Sequence, residues 1–222
     1  MGYYWLGLTY YVQERWEEAL DVYRRAVEVA PIDYRGYEWL GATYKHLGEK
    51  GEAIQAYHRV IELGHVSGYI SIGDIYRYDE RDYAEAERWY ARALAAFPDS
   101  ADPYLYLGIN ALSQNQYQMA FTFLQEALRI DSNNAMTRRY LGEWYLRQGD
   151  PEKGARELSE AAQLGPDQMW TFILLGDAYF EMGNYTQAYG AYQRALEISP
   201  QDGYTLERVE SLMAVYQHEN SR

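Results

Sequence analysis

An aliphatic residue followed by glycine, with an aromatic three places on, recurs along the chain. It reads Leu6-Gly7 with Tyr10, Leu40-Gly41 with Tyr44, Ile72-Gly73 with Tyr76, Leu141-Gly142 with Tyr145 and Leu175-Gly176 with Tyr179. Leu107-Gly108 belongs to the series but carries Ala111 in the aromatic place. Successive glycines lie 34, 32, 35, 34 and 34 residues apart. Twelve residues after the glycine comes a small residue, Ala19, Ala53, Ala120, Gly154 or Ala188, with Ala86 one place late. A large residue follows four further on, at Tyr23, Tyr57, Tyr90, Leu124, Leu158 and Tyr192. Three beyond that stand Ala26, Val60, Ala93, Ala127, Ala161 and Ala195.

Offsets of three and four put these residues on one face of a helix, so each period predicts two antiparallel helices. The glycine and the small residue twelve later are expected where the two helices approach too closely for bulk. Polar or glycine-bearing turns separate them, such as Leu47-Gly48-Glu49, Gln148-Gly149-Asp150 and Met182-Gly183-Asn184. Pro151 suits a first helical turn, where its missing N–H costs nothing. Pro31, Pro98, Pro166 and Pro200 are expected to end second helices. The late Ala86 implies one extra residue in the turn around Asp79 to Asp82.

This arrangement resembles the tetratricopeptide repeat family, whose pattern is Trp-x2-Leu-Gly-x2-Tyr, then Ala, an aromatic, Ala and Pro. The resemblance covers essentially residues 2–200. Its departures are local: Tyr3, Tyr37, Tyr69, Tyr104, Arg138 and Phe172 stand where the signature tryptophan would be. The implied fold is all-α, a right-handed α-solenoid of about six helix–turn–helix repeats near 1–33, 34–65, 66–100, 101–134, 135–168 and 169–202, forming one array over 1–222. Residues 203–219 lack the glycine signature but keep Leu206, Val209, Leu212, Met213 and Tyr216 apolar, with Glu207, Arg208, Glu210 and Gln217 outward, and are expected to form a capping helix. The chain opens inside a repeat, at Gly2-Tyr3-Tyr4-Trp5, as expected of a fragment of a longer protein.

The resemblance also implies a protein- or peptide-binding scaffold rather than an enzyme, with first helices lining a concave groove. The groove stripe lies three before, one after, four after and five after each glycine. It contains Tyr4, Leu8, Tyr11, Lys45, Ile70, Arg77, Tyr78, Leu105, Ile109, Leu112, Arg139, Leu146, Arg147, Ile173 and Phe180 as candidate contact residues. Its apolar content favours an apolar or amphipathic segment as guest, and Lys45, Arg77, Arg139 and Arg147 are expected to add a basic track. A carboxylate clamp for chaperone tails needs Lys three before and Asn one after a glycine. Tyr4/Leu8, Glu38/Ala42, Ile70/Asp74, Leu105/Ile109, Arg139/Glu143 and Ile173/Asp177 do not match, so no such clamp is expected. The alternative is an accessory interaction domain of a larger bacterial enzyme or cell-envelope protein, such as a glycosyltransferase or secretion component.

Composition changes this picture little. The net charge of −13 argues against nucleic acid as partner. Twenty-five tyrosines against 5 phenylalanines suit half-buried faces and recognition surfaces alike. The absence of cysteine removes thiol chemistry, and no apolar run is long enough for membrane insertion. His46, His58, His65 and His218 lack paired metal-ligand spacing, and neither a phosphate-binding loop nor a nucleophile elbow occurs. Catalytic residues, metals and cofactors are therefore expected to be none. Localisation is undecided, cytoplasmic by default and extracytoplasmic within a cell-envelope protein.

Overall fold

The computed structural model describes residues 2–165 and 168–219, with side chains through residue 215. Pro166 and the side chains of Tyr216, Gln217 and His218 lie outside the described residues. Thirteen α-helices and no strand occur among those described. The chain divides into two compact units, residues 1–110 and 111–222. The first holds α1 (Gly2–Val12), α2 (Trp16–Val29), α3 (Tyr34–His46), α4 (Lys50–Glu62), α5 (Val66–Asp74) and α6 (Tyr83–Ala96). The division falls within α7 (Ala101–Ser113). The second holds α8 (Tyr117–Ile130), α9 (Ala135–Arg147), α10 (Pro151–Leu164), α11 (Met169–Glu181), α12 (Tyr185–Ile198) and α13 (Gly203–Glu219). Within each unit consecutive helices pack side by side, the α-solenoid pattern of stacked repeats.

The glycine signature acts through a ring. A Cβ added to Gly41 would lie 2.6 Å from the Tyr57 ring, and one on Gly176 would lie 2.4 Å from that of Tyr192. Gly7 and Gly73 meet Tyr23 and Tyr90 in the same way, and Gly142 meets Leu158 at 2.6 Å. The close approach expected at the glycine is therefore filled by the large residue sixteen or seventeen places later. In the fifth repeat the small residue contributes too, because Gly154 O lies 3.2 Å from that Cβ position.

The turns repeat as faithfully. Glu49 N donates to Tyr44 O at 2.9 Å and Gly48 N to Lys45 O at 3.0 Å, closing α3 with a left-handed residue. Asp150 N to Tyr145 O and Asn184 N to Tyr179 O repeat the longer bond at 2.9 and 2.8 Å. The left-handed place is held by Gly48, Gly149 and Gly183, but also by Glu14 (φ 59°), Arg81 (φ 54°) and Asn115 (φ 58°).

The extra residue of the third repeat is not in the turn. It is absorbed one step earlier, as a π-helical turn over Ile75–Asp79. Asp82 N then donates to Tyr76 O at 2.9 Å, reaching the same tyrosine carbonyl across one more residue. A single insertion inside a helix is accommodated this way because a wider turn keeps every backbone group bonded.

The terminal helix α13 keeps first-helix register. Asp202 accepts from Thr205 N at 2.8 Å as Asn134 accepts from Thr137 N at 2.9 Å, and both threonines are buried. Glu210 thus occupies the glycine position, which no second helix covers in the described residues.

Two substitutions separate packing from helix propensity. Gly176→Ala forces a methyl into the Tyr192 ring and is expected to cost about 1–3 kcal/mol. Gly190→Ala, in α12 with nothing within 4 Å of the new methyl, is expected to gain about 1 kcal/mol. Urea denaturation of the two variants checks the signs; equal signs would contradict the ring-on-glycine account.

Candidate functional site

Of the expected contact residues, Ile70, Leu105, Ile109, Leu112 and Ile173 are buried. They belong to the packed interior rather than to an open surface. The stripe's apolar content is greatest where packing consumes it, so those five are corrected to core positions. Arg77 is buried as well. Tyr4, Leu8, Tyr11, Lys45, Arg139, Leu146 and Phe180 are half-buried, and Tyr78 and Arg147 are exposed.

In the first unit, aromatic rings dominate around the stripe. Tyr11 meets Trp16 and Trp39 edge-on, each at 4.9 Å between ring centres. His46 stacks flat on Trp16 at 4.2 Å and meets Tyr11 edge-on at 5.3 Å. Tyr4 reaches Trp39 at 6.4 Å. Trp16 and Trp39 lie outside the stripe positions, so stripe counting misses them; tryptophans flanking a stripe tyrosine in the repeat register are the signal that finds them. Lys45 lies 5.9 Å from the Tyr78 ring centre and Arg77 lies 3.8 Å from it, so the exposed tyrosine sits beside two cations.

Below this surface is a polar triad. Tyr90 Oη donates to Asp74 Oδ1 at 2.8 Å, Arg77 Nη2 to the same oxygen at 3.2 Å, and Arg77 Nε to Tyr90 Oη at 3.3 Å. Burial raises the Asp74 carboxyl above its ordinary value, with Arg77 and Tyr90 pulling the other way. The π-helical turn begins beside Asp74, and it carries Arg77 within the triad.

The second unit builds a related cluster from different elements. Tyr192 Oη donates to Asp177 Oδ1 at 2.7 Å, and Tyr204 Oη donates to Asp177 Oδ2 at 3.3 Å. Arg208, from α13, pairs with Asp177 Oδ1 at 3.1 Å. Aspartate one after the glycine thus binds the tyrosine sixteen or seventeen after it, a pairing visible in sequence once both positions are compared. Where the first repeat has Leu8 instead, the Tyr23 hydroxyl is buried without a hydrogen-bond partner.

The basic track does not form as expected. Arg77 is paired with Asp74 and Arg147 with Glu143 at 2.7 Å, while Lys45 lies 3.9 Å from Asp79. Arg139 instead lies over the Tyr140 ring, 4.0 Å from its centre. For Arg77 and Arg147 a carboxylate one turn away neutralises the charge that a stripe count leaves bare. Leu146 and Phe180 each lean on a core cluster, so each is only partly available to a guest. Among the described residues, no group of three or more His, Asp or Glu side chains is arranged to hold a metal ion. None of the described helices is long and apolar enough to cross a membrane.

Family models described as tetratricopeptide repeat match residues 1–33, 34–63, 66–133 and 170–202. No curated protein matches the sequence. Among solved structures, the chain is similar to one in the APC/C hetero-tetramer Cut9-Hcn1, with a TM-score of 0.74 and 18% identity over 95% of this chain. It spans only 42% of that longer chain. PilW, a type IV pilus biogenesis factor, gives a TM-score of 0.69 at 16% identity, over 93% of this chain and 96% of PilW. YrrB, described as a TPR protein with an unusual peptide-binding site, gives 0.55 at 22% identity, over 85% of this chain and 97% of YrrB. Identities this low establish shared fold alone.

Two outcomes follow from the polar clusters. Asp74→Ala strands the Arg77 guanidinium in a buried site and is expected to cost about 3 kcal/mol in urea denaturation; a loss under about 1 kcal/mol would contradict the pairing. Burial raises the phenols of Tyr23, Tyr57, Tyr90 and Tyr192 above the ordinary 10.0. The unfolded chain loses these protons near that value while the folded chain keeps them, so stability is present below it and falls as pH rises beyond it. Tyrosinate absorbance should show these rings ionising only as helicity collapses. Ionisation of every tyrosine with helicity intact would contradict it.

Proposed function

The chain belongs to the tetratricopeptide repeat family, and from that premise we propose that it is a protein-interaction scaffold whose guest lies along the first-helix stripe. The supporting observations are the exposed Tyr78 beside Lys45 and, in the same unit, the Tyr11–Trp16–Trp39–His46 aromatic cluster. Rigid aromatic rings with cations alongside offer large contact area at small entropic cost, the make-up of interface hot spots. On the second unit, Arg139 and Arg147 with the open parts of Leu146 and Phe180 offer the same combination in weaker form.

A peptide-binding protein of the same fold, YrrB, adds weight to a peptide as guest. The guest that suits this stripe is a peptide segment with apolar side chains for the aromatic cluster and a carboxylate for Lys45. No part of the reading requires a cofactor or a reacting group.

The test is selection of binding peptides from a random library displayed against the intact chain, followed by affinity measurement for the chain and its variants. Tyr78→Ala and Lys45→Ala are expected to weaken the selected peptides by about tenfold or more each, while Ile198→Ala leaves them unchanged. Peptides that bind equally to all these variants would place recognition elsewhere.

A further inference from the structure

The third repeat breaks a pattern kept by the second, fourth and sixth. Two and five residues after the large second-helix residue, Arg59 pairs with Glu62, Glu126 with Arg129 and Arg194 with Glu197. The third repeat has Arg92 and Ala95 there, so the acid that would hold the guanidinium is missing. One residue further on, Val29, Leu63, Ile130, Leu164 and Ile198 are all branched aliphatics, whereas the third repeat has Ala96.

Both truncations open onto one place. A groove of about 490 Å³ lies between α4 and α6, lined by buried Trp89, half-buried Tyr69 and exposed His58, Arg92, Ala95 and Ala96. Helices precede and follow it in the chain, so small side chains open it rather than a chain end. Its rings form a connected aromatic surface: His58 meets Trp89 at 5.6 Å between ring centres, and Tyr69 meets Trp89 at 6.4 Å and Phe97 at 6.3 Å. The Arg92 guanidinium lies over Trp89, 4.6 Å from its ring centre. Glu62 on α4 and Glu85 on α6 are already paired with Arg59 and Arg88, and no ion pair joins Arg92 among the described residues.

The chemistry of the lining defines the guest. None of the residues lining the groove is acidic, in a chain of net charge −13, so an anionic group is drawn here and repelled by most of the remaining surface. One guanidinium neutralises one carboxylate in a bidentate geometry. A phosphate dianion asks for a second fixed cation, and the lining holds one arginine and no lysine. About 150 Å³ holds a benzene ring, so the groove has room for two or three side chains. It is open along one side, which suits side chains projecting from a peptide better than a small molecule that must be enclosed.

We propose that this groove is a second docking site, on the second helices, for a peptide segment of a partner protein in which an acidic residue adjoins an apolar one. The carboxylate pairs with Arg92 in the place of the missing glutamate. The apolar side chain enters the space beside Ala95 and Ala96, against Trp89 and Tyr69. The site shares no residue with the first-helix stripe, and it stands whether or not that stripe holds a guest.

The test selects random displayed peptides on the intact chain and counter-selects them on the Ala95→Glu/Ala96→Leu double variant. That variant restores what the second repeat carries at Glu62 and Leu63, so it fills the groove and is expected to keep helicity and melting temperature. Surviving peptides are expected to place Asp or Glu beside an apolar residue. They should lose at least about tenfold in affinity for Arg92→Gln and bind Tyr78→Ala as they bind the parent chain. The absence of any surviving peptide would overturn the proposal. So would survivors that lack a carboxylate, that bind Arg92→Gln unchanged, or that Tyr78→Ala weakens as much as Arg92→Gln does.

Discussion

The seating of a large second-helix side chain on a first-helix glycine is the contact from which the rest follows. A two-helix repeat is too small to bury its own apolar face, and its helices gain most from approaching closely along one line. Removing the Cβ at one point lets a tyrosine ring lie against bare backbone, as at Gly41 and Gly176. Once the ring is seated, the helices cannot slide, because any shift by a residue returns a side chain to the contact. The register that fixes the pair also fixes which first-helix residues face outward.

The same ring carries a hydroxyl, and the repeats deal with it in different ways. Tyr90 and Tyr192 donate to Asp74 and Asp177, each of which also binds an arginine. In the first unit the arginine comes from the π-helical turn, and in the second from α13, so an insertion and a terminal helix supply equivalent charges. Tyr23 has no such acceptor. A buried unpaired hydroxyl costs on the order of 1–3 kcal/mol, which makes the first repeat the less stable of the tyrosine-bearing ones in this respect.

Much of this was legible from residue order. Helix pairs, turn positions and the span of α13 follow from offsets of three, four and about thirty-four, which are local consequences of backbone geometry. The openness of the stripe was not legible, because exposure depends on how the neighbouring helices pack: Ile70 and Ile173 occupy the same register as half-buried Tyr4 and Arg139. The basic track failed for a related reason, since Glu143 and Asp74 sit one turn from their arginines and claim them first. The misplacement of the third repeat's extra residue reflects a genuine degeneracy. A widened helical turn and a lengthened loop leave the same spacing in the sequence, and only hydrogen bonding, here Asp82 N to Tyr76 O, distinguishes them.

A double-mutant cycle between Gly41 and Tyr57 probes the seating contact most directly. If the methyl of Gly41→Ala is harmful because of the ring, then Tyr57→Ala removes its cost, and the two changes couple by about 1–3 kcal/mol in urea denaturation. Additive effects within about 0.5 kcal/mol would mean that the glycine serves some other purpose and that the helices are held in register by something else.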